Sequence, residues 1–235
     1  MNESASELFV DGVLFTAFPY VAVVLAVVVS LYRYRTDRFS YSSFSSQFLE
    51  GRALFWGSVP WHYGILIVLL AHVVAWLWPG GWADLIASPA RLWTLEVIGL
   101  ALTLSALLGL AILLLRRLRS ARILAVTSTM DWVLLIVLLG QVILGFWVAL
   151  FYRWGSDWYL FTAVPWLNSL VRFSPDTTFV TSLPWVVKLH MLGGFMIIAI
   201  FPFTRLVHVV TVPITYLWRP YQVVIWNRRQ SGIKN

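Results

Sequence analysis

Four histidines and no cysteine make up the metal-ligating imidazole and thiol inventory of this chain, and all four histidines sit inside apolar runs. His62 and His72 lie in WHYGILIVLLAHVVAWLW; His190 and His208 lie in the stretch from Pro184 to Pro213, PWVVKLHMLGGFMIIAIFPFTRLVHVVTVP. An ionisable side chain in lipid is costly and normally faces a bundle interior or a functional site, so four of four in that setting call for a specific chemistry. On a helix, His62 and His72 are separated by roughly 15 Å, and His190 and His208 by roughly 27 Å. No single metal ion can collect all four. Two sites remain, each drawing one histidine from each run, and antiparallel helices would pair His62 with His208 and His72 with His190.

Two imidazoles on opposite sides of a flat macrocycle are the ligand set of a six-coordinate haem, and without cysteine to attach it covalently the haem would be of type b. With both axial positions filled, such a group has no open position for oxygen or nitrate and passes electrons. The unequal separations of the two pairs have to be absorbed by helix tilt and by Pro202, which is expected to kink the second run. The competing reading makes the same residues interhelical hydrogen-bonding histidines of a membrane bundle.

The elements that must position these residues follow from composition. The chain is 60% hydrophobic and 11% charged, with a mean hydropathy of +0.81, far from the roughly 25% charged share of soluble domains. An all-α integral membrane protein is expected. The net charge of +7 and pI near 10.1 could suggest nucleic acid, but the basic residues fall in short segments between apolar spans, as membrane topology demands. The absence of cysteine excludes structural disulfides, thiolate zinc sites and iron–sulfur clusters held by this chain.

Five spans are expected, at about 12–31, 55–78, 92–115, 130–152 and 185–212, with a tail over 214–235. The first eleven residues carry Glu3, Glu7 and Asp11 and no Lys or Arg, so no cleaved signal peptide is expected. Arg33, Arg35 and Arg38 follow the first span, and Arg116, Arg117, Arg119 and Arg122 follow the third. With the N-terminus outside, only Arg91, Arg153, Arg172 and Lys188 of the 17 Lys and Arg residues fall on the outer side. That asymmetry places the N-terminus in the periplasm and the C-terminus in the cytoplasm. It makes the second and fifth helices antiparallel, as the histidine pairing requires, with His62 and His208 inward and His72 and His190 outward. A single domain, a five-helix bundle enclosing two b haems, accounts for the whole chain.

Several blocks carry a resemblance. SSQFLE stands in the first cytoplasmic loop, His62 and His72 are ten residues apart, RR precedes TSTMD between the third and fourth spans, and KLHMLGG leads into FPFTRLVHVVTVPITYLWRPYQVV. Together these resemble the gamma subunit, or membrane cytochrome b, of respiratory nitrate reductases, over nearly the full chain. The resemblance implies quinol oxidation on the outer face of a bacterial or archaeal cytoplasmic membrane. Electrons would pass through two b haems to an iron–sulfur beta subunit and a molybdenum-containing alpha subunit, which reduces nitrate to nitrite on the cytoplasmic face. It assigns His72 and His190 to the outward haem and His62 and His208 to the inward one. Two alternatives stay open: a related di-haem quinol-oxidising subunit of another terminal reductase, and a haem-binding anchor without quinol turnover.

Quinol-binding members of the family have a lysine in the outer loop between the second and third helices. Here Leu92 occupies that place with Arg91 beside it, and Ala71 replaces the glycine before the outward histidine. His72 and Arg91 are the quinol-site candidates. Arg205, one turn before His208, is a candidate partner for a propionate of the inward haem or a snorkelling interfacial arginine, and Lys188 has the same two readings beside His190. The basic loops and the tail ITYLWRPYQVVIWNRR are the expected docking surface for the partner subunits, or a contact with anionic lipid.

Overall fold

The structure, a computed structural model, describes residues 5–37, 49 and 51–211; apart from Leu49 the SSQFLE block, and the tail from Ile214, lie outside them. The described residues are helical, with no strand. Helix α1 (Ala5–Gly12) passes through a π-helical turn (Val13–Ala17) into α2 (Phe18–Thr36). Next come α3 (Arg52–Leu77), a short α4 (Pro79–Ile86), α5 (Pro89–Arg119) and the single turn α6 (Ala121–Ala125). Helix α7 (Thr129–Phe151) leads to three short helices, α8 (Gly155–Phe161), α9 (Ala163–Val171) and α10 (Thr178–Thr181), and then to α11 (Trp185–Ile200) and a final turn, α12 (His208–Thr211).

Among the described residues five helices are long and apolar enough to cross a membrane: Phe9–Thr36, Arg52–Leu77, Pro89–Arg119, Thr129–Phe151 and Trp185–Phe203. Their start and stop signals are local. Proline stands at the first positions of α4 and α5, where its missing N–H costs nothing. Helix α7 begins with a reciprocal capping box: the Ser128 hydroxyl accepts from the Asp131 N–H at 3.1 Å and the Asp131 carboxylate accepts from the Ser128 N–H at 3.0 Å. Arginines 116, 117 and 119 close the last turn of α5, favourable beside its exposed carbonyls.

The fifth run differs from the single kinked helix expected over 185–212. Helix α11 stops at Ile200, two 3-10 turns (Phe201–Phe203 and Arg205–Val207) follow, and Thr204 between them is fully extended at φ −121°, ψ 175°. Pro202 has no N–H to give and its ring collides with the preceding turn. The break persists because its freed groups find partners: the Arg33 guanidinium donates to the Pro202 carbonyl and the Thr204 hydroxyl accepts from the Leu206 N–H. His208 therefore lies beyond a break, and the roughly 27 Å rise of a continuous helix does not apply to it.

The helices pack in the order α2, α11, α7, α5, α3. The two histidine-bearing elements α3 and α11 stand at different places in this row and are not among the packed pairs. The tightest contact is α3 on α5, where small residues replace side chains: a Cβ on Gly64 would lie 2.5 Å from the Leu102 carbonyl oxygen, and one on Gly109 would lie 2.5 Å from the Trp61 nitrogen. Buried apolar side chains gather in three clusters, around Trp61 and Leu110, around Ala75 and Trp82, and around Phe15 and Trp166. Elsewhere large apolar side chains face outward along the spans, as on α2 from Val21 to Leu31, the distribution a lipid-facing helix requires.

The segment 153–183 folds over one end of the bundle as a cap. Trp166 is fully buried and donates from Nε1 to the Phe15 carbonyl at 3.0 Å, while the Tyr20 hydroxyl donates to the Leu170 carbonyl at 2.9 Å. On the opposite side, Trp76 donates to Asn168 Oδ1 at 3.0 Å, Trp82 to the Ser156 carbonyl at 3.0 Å, and the Ser156 N–H to Glu96 at 2.9 Å. The cap thereby ties α2 to α3, α4 and α5, and fixes the histidine-bearing end of α3 relative to the rest.

Candidate functional site: two facing histidine pairs

His62 and His208 come together near the arginine-rich end of the bundle, with ring centroids 6.1 Å apart and planes at 71°. Metal–imidazole bonds of about 2 Å, with each ring centroid about 1 Å behind its nitrogen, place two opposed imidazoles about 6 Å apart centre to centre. The observed separation fits two rings sharing one metal. Towards the capped end stand His72, whose carbonyl meets the Tyr159 hydroxyl, and His190, whose neighbours Met191 and Leu192 pack against the Phe15–Trp166 cluster. Of the two pairs expected, the rings of His62 and His208 are brought together, and His72 and His190 stand at the same end of the bundle.

The hydrogen bonding of the rings is uniform. Nδ1 of His62 lies 2.8 Å from the Ser58 carbonyl, Nδ1 of His72 lies 2.7 Å from the Val68 carbonyl, and Nδ1 of His208 lies 2.6 Å from the Arg205 carbonyl. His190 differs in taking its carbonyl from another helix: its Nδ1 meets the Gln141 carbonyl of α7 at 3.2 Å. A carbonyl only accepts, so in each ring Nδ1 carries the proton and Nε2 keeps a free lone pair, the tautomer that metal-ligating histidines adopt. Among the described residues no three His, Asp or Glu side chains gather as a metal-ion site. The donors come as imidazoles without carboxylates beside them, which suit a metal that brings further ligands of its own, and haem meets that condition.

The other candidates are placed as follows. Arg205 forms a two-point ion pair with Asp131, Nε to Oδ1 at 2.6 Å and Nη2 to Oδ2 at 3.0 Å. Arg117 approaches the same carboxylate at 3.4 Å, and Asp131 is 4% exposed. Two guanidiniums thus converge on one carboxylate beside the His62–His208 pair. An open cleft of about 220 Å³ adjoins it, lined by Arg33, Ser128, Met130, Asp131, Phe203, Thr204 and Arg205. Lys188 is committed to Asp11 at 2.7 Å, with both side chains buried. Arg91 caps the end of α4, donating to the carbonyls of Leu85 at 2.7 Å and Asp84 at 3.1 Å, and these contacts do not join it to His72. The neighbour of His72 is Tyr159, edge-on at 5.5 Å, its hydroxyl 3.4 Å from the His72 carbonyl. Burial pushes the Tyr159 hydroxyl up to about 12, so it stays a neutral donor at physiological pH.

Sequence reasoning passes over Tyr159, Asp11 and the roles of Asp131 and Gln141. For Asp131 a signal existed, since Ser128 followed three residues later by an acid is a capping box; its pairing with Arg205, 74 residues away, has no local mark.

The family model for the nitrate reductase gamma subunit matches residues 11–227. The chain belongs to the nitrate reductase gamma-subunit family. It is 34% identical to the nitrate reductase gamma chain of Bacillus subtilis, the match covering 92% of this chain and 98% of that one. It is 32% identical to the respiratory nitrate reductase 2 gamma chain of Escherichia coli, over 88% of this chain and 93% of the other. A nitrate reductase-like protein of Mycobacterium tuberculosis is 31% identical over 92% of this chain, which spans 34% of that longer protein. With five membrane-length apolar helices, this gamma-subunit homologue is a multi-pass membrane protein and an oxidoreductase subunit.

Proposed function

We propose that this gamma subunit is the quinol-oxidising cytochrome b of a respiratory nitrate reductase in a bacterial or archaeal cytoplasmic membrane, with its arginine-rich end facing the cytoplasm. The observation that carries the reading is the approach of His62 to His208 at 6.1 Å, with the Nδ1 of each of the four imidazoles committed to a backbone carbonyl. His62 with His208 would hold an inward haem b, and His72 with His190 an outward one. Bound there, haem would supply one-electron oxidation and reduction.

The protein's own groups do the rest. The carbonyls of Ser58, Val68, Gln141 and Arg205 fix each ring's tautomer and direct Nε2 away from its own backbone. Arg117 and Arg205, both set on Asp131, would be the cations nearest an anionic propionate at the inward site. At the outer end, His72 and Arg91 remain the candidate quinol contacts, and Tyr159 beside His72 offers a hydroxyl that donates and does not take a proton. Quinol oxidation releases two electrons and two protons. Protons left outside and electrons carried inward separate charge against the membrane potential, at roughly 2.3 kcal/mol per electron per 100 mV. The electrons would pass to the iron–sulfur beta subunit and the molybdenum-containing alpha subunit on the cytoplasmic face.

The deciding experiment purifies the complex through this chain in mild detergent and measures haem, iron and molybdenum. Two b haems per chain with a molybdenum-containing, iron–sulfur-rich partner pair are expected, with quinol-dependent haem reduction. Two haems with other partners would move the chain to a different reductase; absence of haem would return the histidines to interhelical hydrogen bonding.

A further inference from the structure

Three of the four histidines take a carbonyl from their own chain segment, one turn earlier; His190 takes one from α7. The surroundings of that contact form a cradle. Gly145 lies four residues after Gln141, one turn along α7, and a Cβ there would lie 2.8 Å from His190 Cε1 and 3.5 Å from each ring nitrogen. Only a residue without a side chain lets the imidazole lie against the helix. On α11, one turn beyond His190, a Cβ on Gly193 would lie 2.1 Å from Oε1 of Gln141, with no other atoms but the Gln141 Cδ, at 3.2 Å, within 4 Å. That Oε1 is buried and accepts no hydrogen bond. A buried amide oxygen without a donor costs stability, and the side chain fills the notch that Gly193 leaves.

We infer that α7 is the positioning element of the outward histidine: the Gln141 carbonyl sets the tautomer of His190, Gly145 seats its ring, and the Gln141 side chain in the Gly193 notch fixes the register of α11 on α7. The inference rests on the reading of His72 and His190 as haem ligands. It assigns Gln141, Gly145 and Gly193 to the outward site alone, through His190, with no effect on the inward pair. A shift of α11 along α7 would move the His190 ring relative to its carbonyl and turn its Nε2.

The test uses the complete complex in detergent and compares Gly193→Ala, Gly145→Ala and the double variant Gly193→Ala with Gln141→Ala. Haem content, the low-spin haem resonances and the two midpoint potentials are read together, and the inward haem serves in each variant as the control for folding. Gly193→Ala and Gly145→Ala are expected to displace or abolish the outward haem's resonance and potential while leaving the inward haem unchanged. Removal of the Gln141 side chain is expected to restore the outward signal in the Gly193→Ala background, because that side chain is all the new methyl meets. A Gly193→Ala complex with wild-type resonances and potentials for both haems would overturn the inference, as would a double variant that keeps the inward haem and fails to recover the outward one. If Gly193→Ala loses both haems, the Gly145→Ala complex decides on the same criteria. A wild-type complex without an outward haem would instead refute the ligand reading beneath it.

Discussion

Replacing Asp131 by asparagine removes one charge from the junction that carries His208 and keeps the shape. Asp131 is 4% exposed and Arg205 is 32% exposed; Arg205 contributes two hydrogen bonds, at 2.6 and 3.0 Å. Arg117 stands 3.4 Å from the same carboxylate. Asparagine's Oδ1 can still accept from the Ser128 N–H, so the helix cap survives, whereas the two guanidiniums lose the anion between them. Breaking a buried pair from one side costs about 3–5 kcal/mol. Arg205 is partly solvated, which lowers the expectation to about 2–3 kcal/mol. The loss should be local, because the Arg205 carbonyl holds His208 Nδ1 at 2.6 Å and its side chain ties that segment to α7. The assay is a temperature ramp on the solubilised complex, following the inward and outward haems separately, for Asp131→Asn, Arg205→Gln and the double variant. The inward haem should be lost at lower temperature than the outward one, with a coupling energy of about 1–2 kcal/mol between the two substitutions. Additivity within about 0.5 kcal/mol, or loss of both haems in step, would refute the reasoning.

Other expectations are independent of that junction. His72→Ala should reduce haem from two per chain to one and keep the inward haem, measured by haem extraction; two haems retained would sink the ligand assignment. Asp11→Asn leaves the Lys188 ammonium buried without its 2.7 Å partner and should destabilise by about 3–5 kcal/mol, with most of the loss recovered by adding Lys188→Met; thermal midpoints of single and double variants decide. Gly64→Ala puts a methyl 2.5 Å from the Leu102 carbonyl oxygen, so α3 and α5 must part by about 1 Å at a cost of about 1–3 kcal/mol. Gly99→Ala on α5, with nothing within 4 Å of its Cβ, should be neutral or gain up to about 1 kcal/mol, and equal midpoints for the two would contradict the packing argument.

Hydropathy made the five spans legible because a membrane solvent imposes length and apolarity on each helix separately, whatever its neighbours do. It did not distinguish a kinked fifth helix from a broken one. That outcome depends on Arg33, far away in the chain, capping the carbonyl freed at Pro202. The approach of His62 to His208 was legible because topology runs the second span and the fifth in opposite directions. The partners of the charged residues were not. Sequence adjacency sets Lys188 beside His190 and Arg205 beside His208, yet their carboxylates lie 177 and 74 residues away. The aromatic-rich segment 153–183 reads as a loop because its helices are short. Its ties to the bundle, from Trp166 Nε1 to the Phe15 carbonyl and from Trp76 and Trp82 to Asn168 and the Ser156 carbonyl, exist only once the bundle has formed.

In lipid there is no general hydrophobic force to draw helices together, so close approach and polar contacts decide which helices meet. Glycines 64 and 109 bring α3 against α5, and Gly145 with Gly193 brings α11 against α7. The α5–α7 contact joins these two halves through Leu110 and Val142. The helices that carry His62, His72 and His190 are thus fastened to different neighbours, α3 to α5 and α11 to α7, while His208, beyond the break, is held to α7 through Arg205 and Asp131. A pair of imidazoles pressed directly together would have to be forced apart to admit a flat macrocycle. A pair held apart by its neighbours is preorganised for one, and this is the property that tight bis-histidine binding asks of a scaffold.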